Sequence, residues 1–343
     1  MNAPLLTIVV PCYNEEEVLP ETMKQLSILL DELVSNNLIS EKSKLLFVDD
    51  GSKDQTWSII YKQSLKDSKI KGLKLARNVG HQNALLAGLF TAKDQSDCLV
   101  SIDADLQDDI EVIREFLIRY SEGYEVVYGV RRERKTDTFF KKHTAQAFYR
   151  LMKIMGVNLV YNHADFRLMS RRAVEALEQF DESNLFLRGV VPLVGFHSTS
   201  VFYDRKERMA GVTKYPLRKM LSFALDGITS FSVTPIRLIS LMGFLSFFVS
   251  LLFGGYFFYL KFSGQTQTGW TSMITSIWLI GGLQLIALGF IGEYIGKIYK
   301  ETKRRPKFVV DVDTYNLGVP KEEPVTPEEG GILIDYNPLS ETN

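Results

Sequence analysis

Apolar residues follow two different rhythms along this chain. Through the first 130 residues, short apolar runs, "LLTIVVP" (5 to 11), "KLLFVDD" (44 to 50), "KGLKLAR" (71 to 77), "DCLVSID" (97 to 103) and "YEVVYGV" (124 to 130), alternate with longer segments of helical spacing such as "EEEVLPETMKQLSILLDEL". Strand and helix in alternation predict an α/β fold: a Rossmann-like, mostly parallel sheet with helices on both faces. Ligands of such sheets collect at the carboxyl ends of the strands. Polar loops gather there, "PCYNEEE", "DDGSKDQT", "RNVGHQN" and "DADLQDD" after the first four runs, and together they predict a site on one rim.

The second rhythm is unbroken. Leu238 to Leu260 form a stretch of 23 uncharged residues, and Met273 to Gly292 a second of 20. The first would be about 35 Å long as a helix, enough to cross a bilayer. The short polar "KFSGQTQTGW" between them predicts a two-helix transmembrane hairpin, against the alternative of a buried core hairpin. Basic residues flank both ends: Arg218, Lys219 and Arg237 before, Lys297, Lys300, Lys303, Arg304, Arg305 and Lys307 after. Both termini and the α/β domain are therefore expected on the cytoplasmic side of the cell membrane, in a multi-pass arrangement. Ahead of the first span, residues 215 to 235 put Leu217, Met220, Leu221, Ala224, Leu225 and Ile228 on one helical face opposite Arg218, Lys219 and Asp226. Two placements satisfy that pattern, in the membrane interface or packed on the α/β domain.

Composition adds limits. The chain has 343 residues, 45% hydrophobic and 24% charged, ample for a full core. Its formal net charge of -1 is unevenly spread, because residues 306 to 343 hold eight acids against Lys307 and Lys321, a net of -6. The body is mildly basic and the tail acidic. Cys12 and Cys98 each sit beside a predicted strand, where burial as small apolar residues is expected rather than a disulfide. His81, His143, His163 and His197 lack a zinc-ligand spacing, and structural or surface roles are expected of them. The start, "MNAPLLTIVVP", has neither a basic n-region nor a cleavage site and reads as no signal peptide.

The densest chemistry lies in "SIDADLQDD" (101 to 109), where Asp103, Asp105, Asp108 and Asp109 crowd one strand end. Carboxylates at this density repel one another and lose hydration, a cost that a cation relieves. Mg²⁺ or Mn²⁺ suits them, since hard divalent ions take carboxylate oxygens and bridge to phosphates. The competing reading is a helix start, with Asp108 or Asp109 as its cap. Neither "GxxxxGK" nor "GxGxxG" follows a strand, which disfavours P-loop and dinucleotide sites.

Seven stretches in order, "VVPCYNEEE", "FVDDGSKDQT", "LARNVGHQNALLAGL", "SIDADLQDD", "ADFRLMSRRA", "FLRGVVPLVGF" and "RKERMAGVTKYP", resemble glycosyltransferase family 2. The likeness is greatest to its polyprenyl-phosphate branch, the dolichol-phosphate mannose synthases and bacterial undecaprenyl-phosphate sugar transferases, and covers about residues 5 to 305. It implies a GT-A catalytic domain, a nucleotide-sugar donor, UDP-linked by preference, a polyprenyl phosphate acceptor and a divalent metal. Nucleic acid is not an implied partner. Carried over by motif, Pro11, Tyr13, Glu15, Val48, Asp50, Asp103 and Ala104 line the nucleotide-sugar pocket, and Asp105 and Gln107 meet the metal. Arg131, Arg208 and Lys214 face phosphates, while Asp103, Asp105 and Asp165 form the catalytic set. Asp108 and Asp109 are expected to start the helix "DDIEVIREFLIRY". Asp165 is expected to position or assist the attacking group, the alternatives being a helix cap or a pair with Arg167.

The expected organisation is a GT-A domain over 1–213, an interfacial region over 214–235, a membrane hairpin over 236–300 and an acidic tail over 301–343. Within the tail, "KFVVDVD" reads either as a strand exchanged between protomers of a homo-oligomer or as part of a disordered end. A membrane-anchored binding or scaffold protein would keep the fold but not Asp103, Asp105, Asp165, Arg131 and Arg208 together. A polysaccharide synthase would be expected to carry "QxxRW" and more spans, and neither is found.

Overall fold

A computed structural model describes residues 3–132, 163–182, 187–204, 234–263 and 269–316. The five predicted strands form at the predicted places: β1 (Leu6–Cys12), β2 (Lys44–Asp49), β3 (Ile70–Leu75), β4 (Cys98–Ser101) and β5 (Val126–Arg131). Three more join them, β6 (His163–Ser170), β7 (Ser198–Tyr203) and β8 (Val310–Asp313), in one sheet of order β7-β5-β6-β4-β1-β2-β3-β8. β4, β1, β2 and β3 run parallel, β6 and β8 run against their neighbours, and β7 runs parallel to β5. The sheet is the mostly parallel one of a GT-A-like α/β domain.

The apolar runs are nearly continuous because both faces of the sheet are covered. Leu6, Ile8 and Val10 of β1, with Leu45 and Phe47 of β2, pack beneath α1 (Leu19–Ser35), α2 (Thr56–Lys66) and α4 (Val112–Ser121). On the opposite face Val9, Leu46, Val48 and Leu99 meet α3 (His81–Ala92) and α5 (Arg171–Glu178). Helix α3 lies close on the strands: a Cβ at Gly88 would fall 2.4 Å from Val9 Cγ1 and 2.7 Å from Val48 Cγ2. Cys12 and Cys98 are buried and unbridged.

Two long helices, α7 (Thr234–Phe262) and α8 (Trp270–Thr302), follow a one-turn helix α6 (Leu187–Val190) and lie against each other. They coincide with the two apolar stretches. Among the described residues one helical segment, the 24 residues Leu279–Thr302, is long and apolar enough to cross a membrane. The region expected at the membrane interface lies, up to residue 233, outside the described residues.

The start of the acidic tail departs from both expectations for it. After α8 the chain returns to its own sheet, and β8 pairs antiparallel with edge strand β3. Thr314 Oγ1 accepts from Gly72 N at 2.7 Å and donates to Gly72 O at 3.0 Å. The buried Tyr315 hydroxyl sits 2.9 Å from Thr7 Oγ1 and 3.3 Å from Ser96 Oγ, and Lys307 Nζ donates to Phe180 O at 2.9 Å. The edge of β3 is thereby covered, which removes an open row of backbone donors and acceptors.

Candidate active site

Strand direction assembles the rim. Parallel β1, β2, β3 and β4 end on one side, and β6, antiparallel to β4 with Arg167 opposite Ser101, begins there. Asp165, near the start of β6, is thus brought beside the loop that follows β4. β5 points the same way as β4 and delivers Arg131 to this rim, and β7 delivers Tyr203.

The loops after β1 and β2 are tied together through Asn14, which stands at φ 54°. Its amide donates to Ser52 Oγ at 3.0 Å and its Oδ1 accepts from Lys53 N at 2.9 Å. Glu15 N donates to Thr56 Oγ1 at 2.9 Å. Gly51, at φ +66°, lets the β2 loop pass the one after β3, since a Cβ there would fall 2.6 Å from Asn78 N. The buried Asp50 carboxylate accepts from Val79 N at 2.7 Å and Gly80 N at 3.0 Å, which fixes the entry to α3. Burial raises its pKa against those two hydrogen bonds. Tyr13 is 42% exposed on the rim, whereas Pro11 is buried and Val48 is wholly enclosed against α3. The Val48 side chain therefore holds the helix to the sheet.

In the loop after β4, Asp105 Oδ1 accepts from Gln107 N at 3.2 Å, Leu106 takes φ 52°, and Gln107 is buried. Ala104 O accepts from Thr22 Oγ1 at 2.7 Å, anchoring the loop to α1. Asp103 keeps 35% of its side chain open on this rim. Desolvation by the surrounding protein, with Asp165, Asp108 and Asp105 nearby, pushes its carboxyl up to about 6 despite His81.

Asp165 lies in the opposite electrostatic environment. Arg167 Nη2 donates to its Oδ1 at 2.6 Å and Arg188 Nη2 to its Oδ2 at 3.3 Å. Burial alone would raise this carboxyl, but Arg188, Arg167 and His81 outweigh it and hold the group well below the usual carboxylate range. Arg167 is almost fully buried, and among the described residues its Nη1 has no partner. Of the alternatives for Asp165, the pair with Arg167 forms, and the cap of α5 is Ser170, whose Oγ accepts from Ala173 N.

Three features differ from the sequence expectations. Asp108 does not start a helix: α4 begins at Val112, and Asp108 is buried, with Arg131 forked onto it at 2.9 and 3.1 Å through Nη2 and Tyr203 donating at 2.6 Å. A charge between two apolar stretches reads as a cap because its partner is far off in the chain. Arg131, expected to face phosphate, is on the rim but engaged by Asp108, which together with Tyr203 keeps its pKa up against burial. His81, expected to be structural or on the surface, reaches into the site, with Nε2 3.4 Å from Asp103 Oδ1 and 3.9 Å from Asp165 Oδ2. Its position in the polar loop after the third strand was the available signal, and for Arg188 the signal was its place in "FLRGVVPLVGF", one of the seven stretches that carry the family resemblance. Arg208 and Lys214 lie outside the described residues.

The profile of Glycosyl transferase family 2 matches residues 7–178. An uncharacterized glycosyltransferase of Bacillus subtilis (strain 168), YkoT, is 63% identical over 315 residues, 92% of this chain and 94% of that protein. YkcC, an uncharacterized glycosyltransferase of the same organism, is 47% identical over 306 residues, covering 89% and 92%. The bactoprenol glucosyl transferase of Shigella phage SfV is 39% identical over 308 residues, covering 89% and 97%.

Proposed function

The chain belongs to Glycosyl transferase family 2 and is a glycosyltransferase, and from that premise we propose that it transfers a sugar from a UDP-linked donor to polyprenyl phosphate at the membrane surface. The observation that carries the reading is the acidic cluster at the end of β4, where burial, and after it the neighbouring Asp165, Asp108 and Asp105, push the Asp103 carboxyl up to about 6. Such a donor set fits Mg²⁺ or Mn²⁺. Among the described residues no three His, Cys, Asp or Glu side chains are grouped to hold a metal alone. Asp105, with Asp103 and Gln107 beside it, would share the ion with the donor diphosphate. When bound, the ion would neutralise charge developing on that diphosphate.

The exposed Tyr13 ring suits the nucleotide base, and Asp50, fixed by Val79 and Gly80, suits the base or ribose. An oxygen of the lipid phosphate bonds to the anomeric carbon while the bond from that carbon to the diphosphate breaks, its electron pair leaving with the nucleotide. One displacement inverts the anomeric configuration. A phosphomonoester with a second pKa of about 6 is already mostly dianionic at neutral pH, so alignment matters more than a base. Asp165, committed to two arginines, suits such a positioning role.

The acceptor half draws on the 39% identical bactoprenol glucosyl transferase and on the apolar helix Leu279–Thr302. In this reading α7 and α8 form a two-pass hairpin with both chain ends cytoplasmic, and Arg208 and Lys214 meet the lipid phosphate where the interfacial segment begins. Purified protein incubated with polyprenyl phosphate and a panel of labelled nucleotide sugars tests the proposal. Label should enter the chloroform phase only when a UDP-sugar and the lipid are both present. Label that stays aqueous with every donor refutes the lipid acceptor, and transfer from a GDP-sugar alone refutes the uridine donor.

A further inference from the structure

We propose that His81 is a positioning residue that orients the Asp103 carboxylate toward the donor by spanning Asp103 and Asp165. The inference rests on the functional reading above and adds a residue to it. His81 is the first residue of α3, and the turn before it is fixed from two sides. Asp50 takes the amides of Val79 and Gly80, and Asn83 Nδ2 donates to Val79 O at 3.0 Å. The imidazole is thus projected from a rigid base into the gap between the β4 loop and β6. Its Nε2 is 3.4 Å from Asp103 Oδ1 and 3.9 Å from Asp165 Oδ2.

The two carboxylates are supported unequally. Asp165 has Arg167 and Arg188, whereas among the described residues no lysine or arginine pairs with Asp103, and His81 is the group set against it. Without the imidazole, Asp103 faces Asp105, Asp108 and Asp165 with nothing on the α3 side to select its orientation. Contacts that are long in a free site commonly shorten once substrate is bound, which fits the 3.4 Å separation. Partners that orient a metal-site carboxylate typically change metal affinity or activity by about 10- to 100-fold when removed.

The experiment compares His81→Ala and His81→Gln with the wild type, using free Mn²⁺ measured by electron paramagnetic resonance in the presence of UDP, steady-state transfer and thermal melting. His81 is 44% exposed, so both variants should melt within about 2 °C of the wild type. In His81→Ala the Mn²⁺ dissociation constant should rise and kcat fall, each by about 10- to 100-fold, with KM for polyprenyl phosphate unchanged. His81→Gln, which restores an N–H donor at similar reach, should recover most of both losses. His81→Ala matching the wild type in metal affinity and kcat overturns the proposal, as does His81→Gln impaired as fully as His81→Ala. A wild-type protein that binds no Mn²⁺ with UDP overturns the functional reading itself, and that result is seen before any variant is made.

Discussion

Replacing Asp165 with alanine should cost the protein stability before it costs chemistry. Arg167 is 2% exposed, its Nη2 rests on Asp165 Oδ1 at 2.6 Å, and its Nη1 has no other partner among the described residues. Removing the carboxylate leaves a guanidinium in the interior without its counter-charge, a change worth about 3–5 kcal/mol. At roughly 2–4 °C per kcal/mol for a domain of this size, the melting temperature should fall by about 6–20 °C. Asp165→Asn keeps an acceptor and should fall between. Arg188→Ala removes the half-exposed partner and should cost under about 1 kcal/mol. The double variant Asp165→Ala with Arg167→Met should recover most of the loss, because the stranded charge goes too. The pH dependence has a definite sign. Asp165 is held below its ordinary pKa in the folded protein, so its stabilisation is present above the unfolded value of about 4 and is lost as pH falls below it. The gap between wild type and Asp165→Ala should therefore be full at neutral pH and narrow in acid. Melting curves of the purified protein across that range are the assay. Equal melting of the two proteins at neutral pH would refute the claim that Arg167 depends on Asp165.

Other outcomes follow from the same geometry. Tyr203→Phe removes the hydroxyl that donates to the buried Asp108 at 2.6 Å, while Arg131 stays forked on that carboxylate; urea denaturation should show a loss of about 1–2 kcal/mol. Tyr315→Phe takes away the hydroxyl beside Thr7 and Ser96, which keep their own contact at 2.7 Å, so a loss near 1 kcal/mol is expected and an unchanged denaturation midpoint would show the hydroxyl idle. Because the Asp103 carboxyl is pushed up to about 6, protons should compete with the metal below that pH: Mn²⁺ affinity measured by calorimetry should weaken as pH falls through 6 and level off above it. The same raised value means that the metal-free protein gains stability from this group at low pH and loses it as pH rises through 6, a trend opposite in sign to that of Asp165.

How far this structure was legible depended on how local each cause is. The five strands up to β5 were readable because both faces of the sheet are covered and their apolar runs are short and continuous. β6, "HADFRLMS", was not, since Asp165 and Arg167 interrupt its run, and only pairing across β4 and β5 buries them. β7, "STSVFY", lies at the sheet edge and is only partly buried, which weakens the apolar signal. β8 meets β3 across a sequence separation of 237 at Lys74 and Asp311, so nothing near it could reveal its partner. In the site, the residue types of the rim loops were visible and their connections were not. Asp108 read as a helix start until Arg131 and Tyr203 were brought to it, and His81 read as incidental until strand order set α3 beside the β4 loop.

The central claim is that the acidic cluster at the end of β4 holds a divalent metal and the donor diphosphate together for transfer to a lipid phosphate. The most direct measurement is transfer of label from the preferred UDP-sugar to polyprenyl phosphate by purified wild type and Asp105→Ala, with Mn²⁺ and again after chelation. The wild type should transfer with the metal and stop in the chelator, and Asp105→Ala should remain inactive in both while melting like the wild type. Undiminished transfer in excess chelator, or by Asp105→Ala, would contradict the account.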